Sequence, residues 1–184
     1  MAEKKAILID AAGMRLAGSG DALDKLNKKA AVLTDADVNG LAAKALALGG
    51  VKTDVASLAG TLENASLAVI SGKEDALAAA LETANRRTVV VVAADDGVAF
   101  YGMAINSKAG KVVRKVNADD IILTIATIVD LPITDDCTAC VVYQVLKDPN
   151  LKLNEIIKLQ EALARMESVI ERNNREPWDK HDCA

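Results

Sequence analysis

The chain has 184 residues and 51% hydrophobic content, which is enough for one well-formed core, and domains of this length are usually single. Its net charge of −4 gives no broad attraction to phosphate backbones or anionic lipid, and an aromatic content of 2% leaves few rings for base stacking. We therefore expect neither nucleic acid nor a membrane as a partner. The three cysteines lack the spacing of a disulfide framework, which favours a cytoplasmic location.

The first third of the chain predicts one strand followed by helices. Residues 4–10 run through consecutive branched apolar residues and end on a carboxylate, as a buried parallel strand does. Residues 21–30 have the apolar spacing of a short amphipathic helix. Thr34 and the aspartate after it offer side-chain oxygens to free amides, which predicts a helix that continues through Leu48. A further helix is predicted over residues 53–62.

The middle of the chain alternates between strand and helix patterns. The run of valines at residues 88–94 is the strongest strand pattern, and its all-apolar character predicts a place at the sheet centre. The remaining elements predicted here are strands over 65–71, 99–105 and 111–116, and helices over 73–86 and 118–130.

Strands that alternate with helices of this length predict an α/β fold with a mainly parallel sheet and helices on both faces. We expect one α/β domain over residues 1–150. A C-terminal amphipathic helix and a polar tail, over residues 151–184, follow it without forming an independent domain. The order of the strands cannot be derived from these patterns.

The C-terminal helix, predicted over 153–174, carries a narrow apolar seam. Its members recur at spacings of three and four residues, as in a coiled coil; they are Ile156, Leu159, Leu163, Met166 and Ile170. This seam predicts a homodimer formed through the helix. The alternative is that the seam packs against the domain that precedes it.

Three carboxylates follow predicted strands. Asp10 ends the first strand, and Asp95 and Asp96 follow the central one. Ligands of open α/β sheets bind at the carboxyl ends of strands, and hard divalent cations prefer oxygen ligands. The three aspartates therefore predict a Mg²⁺ or Mn²⁺ site, with the alternative that they serve only as turn residues and caps.

The same positions resemble motifs of the alkaline phosphatase superfamily of phosphatases, sulfatases and phosphomutases. The early ILID sequence ending at Asp10 and the later VVVVAADDG sequence ending at Gly97 are similar to the two metal-binding strand ends of that family. The chain beyond this turn continues the resemblance in order and spacing through Tyr101-Gly102, Val116, Asp120-Ile121, Thr124-Ile125, Ile128 and Pro132.

The resemblance implies a degenerate member of the superfamily. Active members usually hold two metal ions with several histidines, whereas this chain has one histidine, His181. The resemblance implies that the three aspartates keep one Mg²⁺ or Mn²⁺ position. It also places Thr34 where the family has its nucleophile; the alternative is that Thr34 is only a helix cap. We therefore expect a non-catalytic binding or assembly role. The alternative is a minimal metal-dependent phosphoester hydrolase.

A pair of cysteines provides a third alternative. Cys137 and Cys140 are two residues apart, just before a predicted helix over 141–147, and a helix N-terminus lowers the pKa of a thiol. A redox or metal role for this pair is weighed against a structural one. His181 and Cys183 lie near each other in the tail, where an unstructured terminus is the main alternative to metal binding.

Overall fold

The computed structural model describes residues 3–134 and 137–174. Contacts divide the chain into two compact units, Met1–Pro149 and Asn150–Ala184. The first unit contains the strands β1 (Lys5–Asp10), β2 (Ala31–Ala36), β3 (Val51–Thr53), β4 (Leu67–Ser71), β5 (Thr88–Ala94), β6 (Gly97–Gly102) and β7 (Lys111–Val116). Its helices are α1 (Asp21–Asn27), α2 (Leu41–Ala47), α3 (Leu58–Asn64), α4 (Glu74–Thr83) and α5 (Ala118–Val129). The second unit contains α6 (Leu151–Asn174).

The strands form one sheet in the order β3-β4-β1-β5-β6-β2-β7. Only β6 runs antiparallel to its neighbours, because a two-residue turn joins it to β5 as a hairpin. The sheet is therefore mainly parallel, as the sequence predicted. The run of valines in β5 lies at the fourth position of seven, and all seven residues of that strand are buried.

Side chains of the central strands alternate between two apolar clusters, one on each face of the sheet. In β1, Leu8 packs into the cluster that contains α2 and α5, whereas Ile7 and Ile9 pack into the cluster that contains α1, α3 and α4. Because consecutive strand residues point to opposite faces, a strand buried on both faces reads as a continuous apolar run. The predicted covering of both faces by helices is confirmed.

Two helices predicted near the start of the chain are wrong in part. Residues 34–36, where the first of these helices was expected to begin, belong to β2, and Thr53, where the second was expected to begin, ends β3. Ala31 pairs with Phe100 of β6, and the valine and threonine of this stretch suit a strand, so the cap pattern at Thr34 misplaced the helix start. Pairing of this kind involves residues distant in sequence, which local patterns do not show.

The helix predicted over 141–147 is also wrong, since only Tyr143–Val145 form a short 3-10 turn. This segment is tied to α5 by two polar contacts. The Thr124 hydroxyl accepts a hydrogen bond from the Val142 amide at 2.9 Å, and Asp120 accepts one from the Cys140 amide at 2.8 Å. These two hydrogen bonds hold the segment against α5.

Candidate functional site

A cleft of about 350 Å³ lies at the carboxyl ends of β1 and β5, beside the start of α2. Asp10 and Asp95 are the carboxylates in its lining, and Asn39 supplies an amide. Helix α1, which follows β1, covers one face of the sheet, and α2, which follows β2, covers the other. Connections that diverge in this way open a crevice at the strand ends, where ligands of such sheets usually bind.

The paired aspartates after β5 hold the loop that follows β1. Asp95 accepts a hydrogen bond from the Gly13 amide at 3.0 Å. Asp96 accepts one from the Leu16 amide at 2.6 Å and one from the Ala17 amide at 3.1 Å. Both carboxylates therefore satisfy backbone donors of a segment that has no secondary structure of its own. Their observed contacts match the alternative given above, in which they serve turn and cap chemistry.

The three aspartates do not form a cation cage. Asp10 and Asp95 line the cleft, but Asp96 does not. Among residues 3–134 and 137–174, no group of three or more histidine, cysteine, aspartate or glutamate side chains is arranged to hold a metal ion. A single Mg²⁺ held by carboxylates needs several oxygen ligands in near-octahedral geometry. The protein oxygens grouped here are too few for that, so water or a ligand would have to supply the rest.

Thr34 lies in the middle of β2 and is exposed. The helix expected to begin there instead begins at Leu41, after Gly40 in a left-handed conformation at φ 72°. Thr34 is also absent from the lining of the cleft. The helix start on which a nucleophile at this position would depend is therefore not at Thr34.

Cys137 and Cys140 are free and exposed. The helix whose N-terminus was expected to lower a thiol pKa does not form, because the chain continues as an irregular segment to the 3-10 turn at Tyr143–Val145. The physical basis for an activated thiol pair is therefore missing. His181 and Cys183 lie outside the described residues.

Helix α6 exposes large apolar side chains along most of its length. The five seam residues, Ile156, Leu159, Leu163, Met166 and Ile170, are between 49% and 68% exposed. Leu153, Ile157 and Val169 of the same helix are also exposed. Eight large apolar groups in contact with water on one helix are unusual for a helix that has no partner.

Acidic residues are more numerous at the carboxyl edge of the sheet and basic residues at the amino edge, a feature that we did not predict, although Arg15 and Lys73 lie at the carboxyl edge and Glu3 and Asp130 at the amino edge. Acidic residues that follow strands or begin helices lie at the carboxyl edge; they are Asp10, Asp37, Asp54, Glu74, Asp75, Asp95, Asp96, Asp119 and Asp120. Basic residues that precede strands lie at the amino edge; they are Lys4, Lys5, Lys28, Lys29, Arg86, Arg87, Lys108 and Lys111. Helix dipoles favour this arrangement, because helix N-termini lie at the carboxyl edge. Marking each charge as preceding or following a predicted strand would have revealed it.

No protein-family model, curated protein or solved structure matches this chain. The resemblance to the alkaline phosphatase superfamily therefore stays a prediction. No helix within the described residues has the length and apolar character needed to cross a membrane.

Proposed function

We propose that this chain is a non-catalytic assembly protein, in which α6 joins two copies and the α/β unit presents its surfaces to partners. The observation that carries the proposal is the exposed apolar seam of α6. In a heptad assignment, Ile156, Leu163 and Ile170 occupy the a positions, whereas Leu159 and Met166 occupy the d positions. β-Branched residues at a together with leucine at d favour two-stranded parallel coiled coils.

The exposed area is sufficient for a dimer of moderate affinity. Burying a fully exposed Leu, Ile or Met side chain is worth about 1.5–3 kcal/mol, and the seam residues are roughly half exposed. Ten such side chains in a dimer give about 10 kcal/mol. With an association cost of about 4 kcal/mol, about 6 kcal/mol remains, which corresponds to a dissociation constant of about tens of micromolar.

Three features of the carboxyl edge support the absence of catalysis. The carboxylates of Asp95 and Asp96 are engaged by loop amides, Thr34 lies in a strand, and Cys137 and Cys140 precede no helix. A hydrolase of the kind implied by the resemblance needs a metal-activated nucleophile.

Light scattering on the full chain tests the assembly proposal. We expect a dimer at high concentration, and we expect Leu163→Glu to make it a monomer because the substitution places two charges at the centre of the seam. Lys158→Glu, which changes a charge on α6 outside the seam, is the matched control and should keep the dimer. A monomer at every concentration, as intramolecular packing of the seam would give, contradicts the proposal.

Assays of metal binding and turnover test the absence of catalysis. We expect no saturable Mg²⁺ or Mn²⁺ binding by calorimetry and no hydrolysis of p-nitrophenyl phosphate above background. Turnover that depends on either metal and is lost in Asp95→Asn would instead establish the hydrolase alternative.

A further inference from the structure

We propose that a groove between α1 and α4 binds a short acidic segment of a partner protein, one that carries leucine-like side chains among its carboxylates. The groove has a volume of about 370 Å³. Lys25, Lys28 and Lys29 line it from α1 and the residues after it, Ala78, Leu81 and Glu82 from α4, and Tyr101 from β6. We call it the lysine groove.

The lysines of the groove form no ion pair with the residues that the structure describes, although the carboxylates of Asp21 and Glu82 line the same groove. Lys25, Lys28 and Lys29 are exposed, and none of them forms an ion pair or a side-chain hydrogen bond with a described residue. Clustered like charges repel one another, so an acidic partner relieves a cost that the free protein carries.

The lining of the groove is mainly apolar. Ala22 is buried, while Ala78, Leu81 and Tyr101 are half-buried in the cluster that covers this face of the sheet. Ala22 and Lys25 on α1 are three residues apart, as are Ala78 and Leu81 on α4, so the groove runs along both helices. A ligand with apolar side chains between its charges fits this surface better than a purely ionic ligand does.

The charge pattern favours a short acidic segment over a nucleic acid. Asp21 and Glu82 also line the groove, so its cationic surface is short and interrupted. The chain as a whole is acidic, with a net charge of −4. A long phosphate backbone would extend beyond the lysines and meet that repulsion, whereas a short segment would not. Tyr101 alone also provides no series of rings for base stacking.

Binding of labelled peptides to the full chain tests the proposal by fluorescence anisotropy. The probe is a decapeptide of glutamates with two leucines four positions apart, and the comparison is an all-glutamate decapeptide. We expect saturable binding of the probe below about 1 mM that weakens with added salt. We expect the double variant Lys28→Glu, Lys29→Glu to reduce affinity at least about tenfold, and Lys52→Glu, in β3 at the other end of the sheet, to leave it within about twofold.

A second variant separates the groove from a general attraction between charges. Leu81→Ala removes part of the apolar lining, so it should weaken the leucine probe about threefold and leave the all-glutamate peptide unchanged. Leu163→Glu should bind the probe as the natural sequence does, because the groove does not depend on α6. The proposal would be overturned if both peptides bound equally, or if no saturable binding occurred below about 1 mM. It would also be overturned if duplex DNA or phosphatidylserine vesicles competed with the probe and Leu81→Ala did not affect that competition.

Discussion

Removing the carboxylate of Asp96 should destabilise the protein whether or not a divalent cation is present. This carboxylate accepts hydrogen bonds from the Leu16 and Ala17 amides, and its side chain is 21% exposed. Hydrogen bonds to a charged group contribute about 1.5–3 kcal/mol each, and water can replace part of them at this exposure. We expect Asp96→Ala to lower the free energy of unfolding by about 2–3 kcal/mol.

Urea denaturation with and without EDTA measures this effect, and two related variants provide its scale. Asp95→Ala removes one bond, to Gly13, from a more exposed carboxylate and should cost about 1 kcal/mol or less. Asp35→Ala removes an exposed carboxylate that makes no hydrogen bond with the described residues, and it should change stability little. A metal cluster makes the opposite prediction, because loss of one of several like charges stabilises the metal-free protein. Unchanged or increased stability of Asp96→Ala in EDTA would refute the loop-holding role.

Three further predictions test the fold and one carboxyl group. Gly97→Ala should lower the free energy of unfolding by about 3 kcal/mol or more, because the added Cβ would collide with the carbonyl oxygen of Leu33. Gly110→Ala, at φ 59° with open space around it, should lower it by only about 1 kcal/mol. Thermal denaturation measures both losses, and equal losses would contradict this reasoning. Thr124→Val should lower the free energy of unfolding in urea by about 1–3 kcal/mol, because it leaves the buried Val142 amide without its acceptor. Thr127→Val should lower it less, because the Thr127 hydroxyl only donates a hydrogen bond to a helix carbonyl. The pKa of the Asp54 carboxyl should lie below its ordinary value, because the Ser57 amide donates a hydrogen bond to that carboxylate. The stabilisation by this hydrogen bond should therefore be present above the ordinary pKa and be lost as the pH falls through the lowered pKa. A carboxyl titration by NMR with a midpoint at or above the ordinary value would contradict this.

Local patterns predicted the elements whose apolar periodicity agrees with their place in the fold. The valines of β5 are buried on both faces, and α5 begins with a capping box between Asn117 and Asp120 that is visible in the sequence. β2 was missed because its strand character depends on pairing with β6, across more than 60 intervening residues. A helix was predicted there because Thr34 and the aspartate after it resemble a cap before the alanine- and leucine-rich residues that follow.

The sequence placed Asp10 and Asp95 at strand ends, and the structure brings these two into one cleft. The carboxyl ends of β1 and β5 do meet, as expected for parallel neighbours in register from Lys5 to Asp10. The sequence did not show that loop amides engage Asp95 and Asp96, because those amides belong to a segment about 80 residues earlier with no regular structure. It also did not show the lysine groove, since that groove forms only when α1 and α4 pack side by side over Tyr101.

Sedimentation velocity of the full chain over a range of concentration tests the central proposal most directly. The account predicts that the natural sequence shifts from monomer to dimer around tens of micromolar, that Lys158→Glu behaves in the same way, and that Leu163→Glu sediments as a monomer throughout. Sedimentation of the natural sequence as a monomer well above that range, or a dimer that survives Leu163→Glu, would contradict assembly through α6.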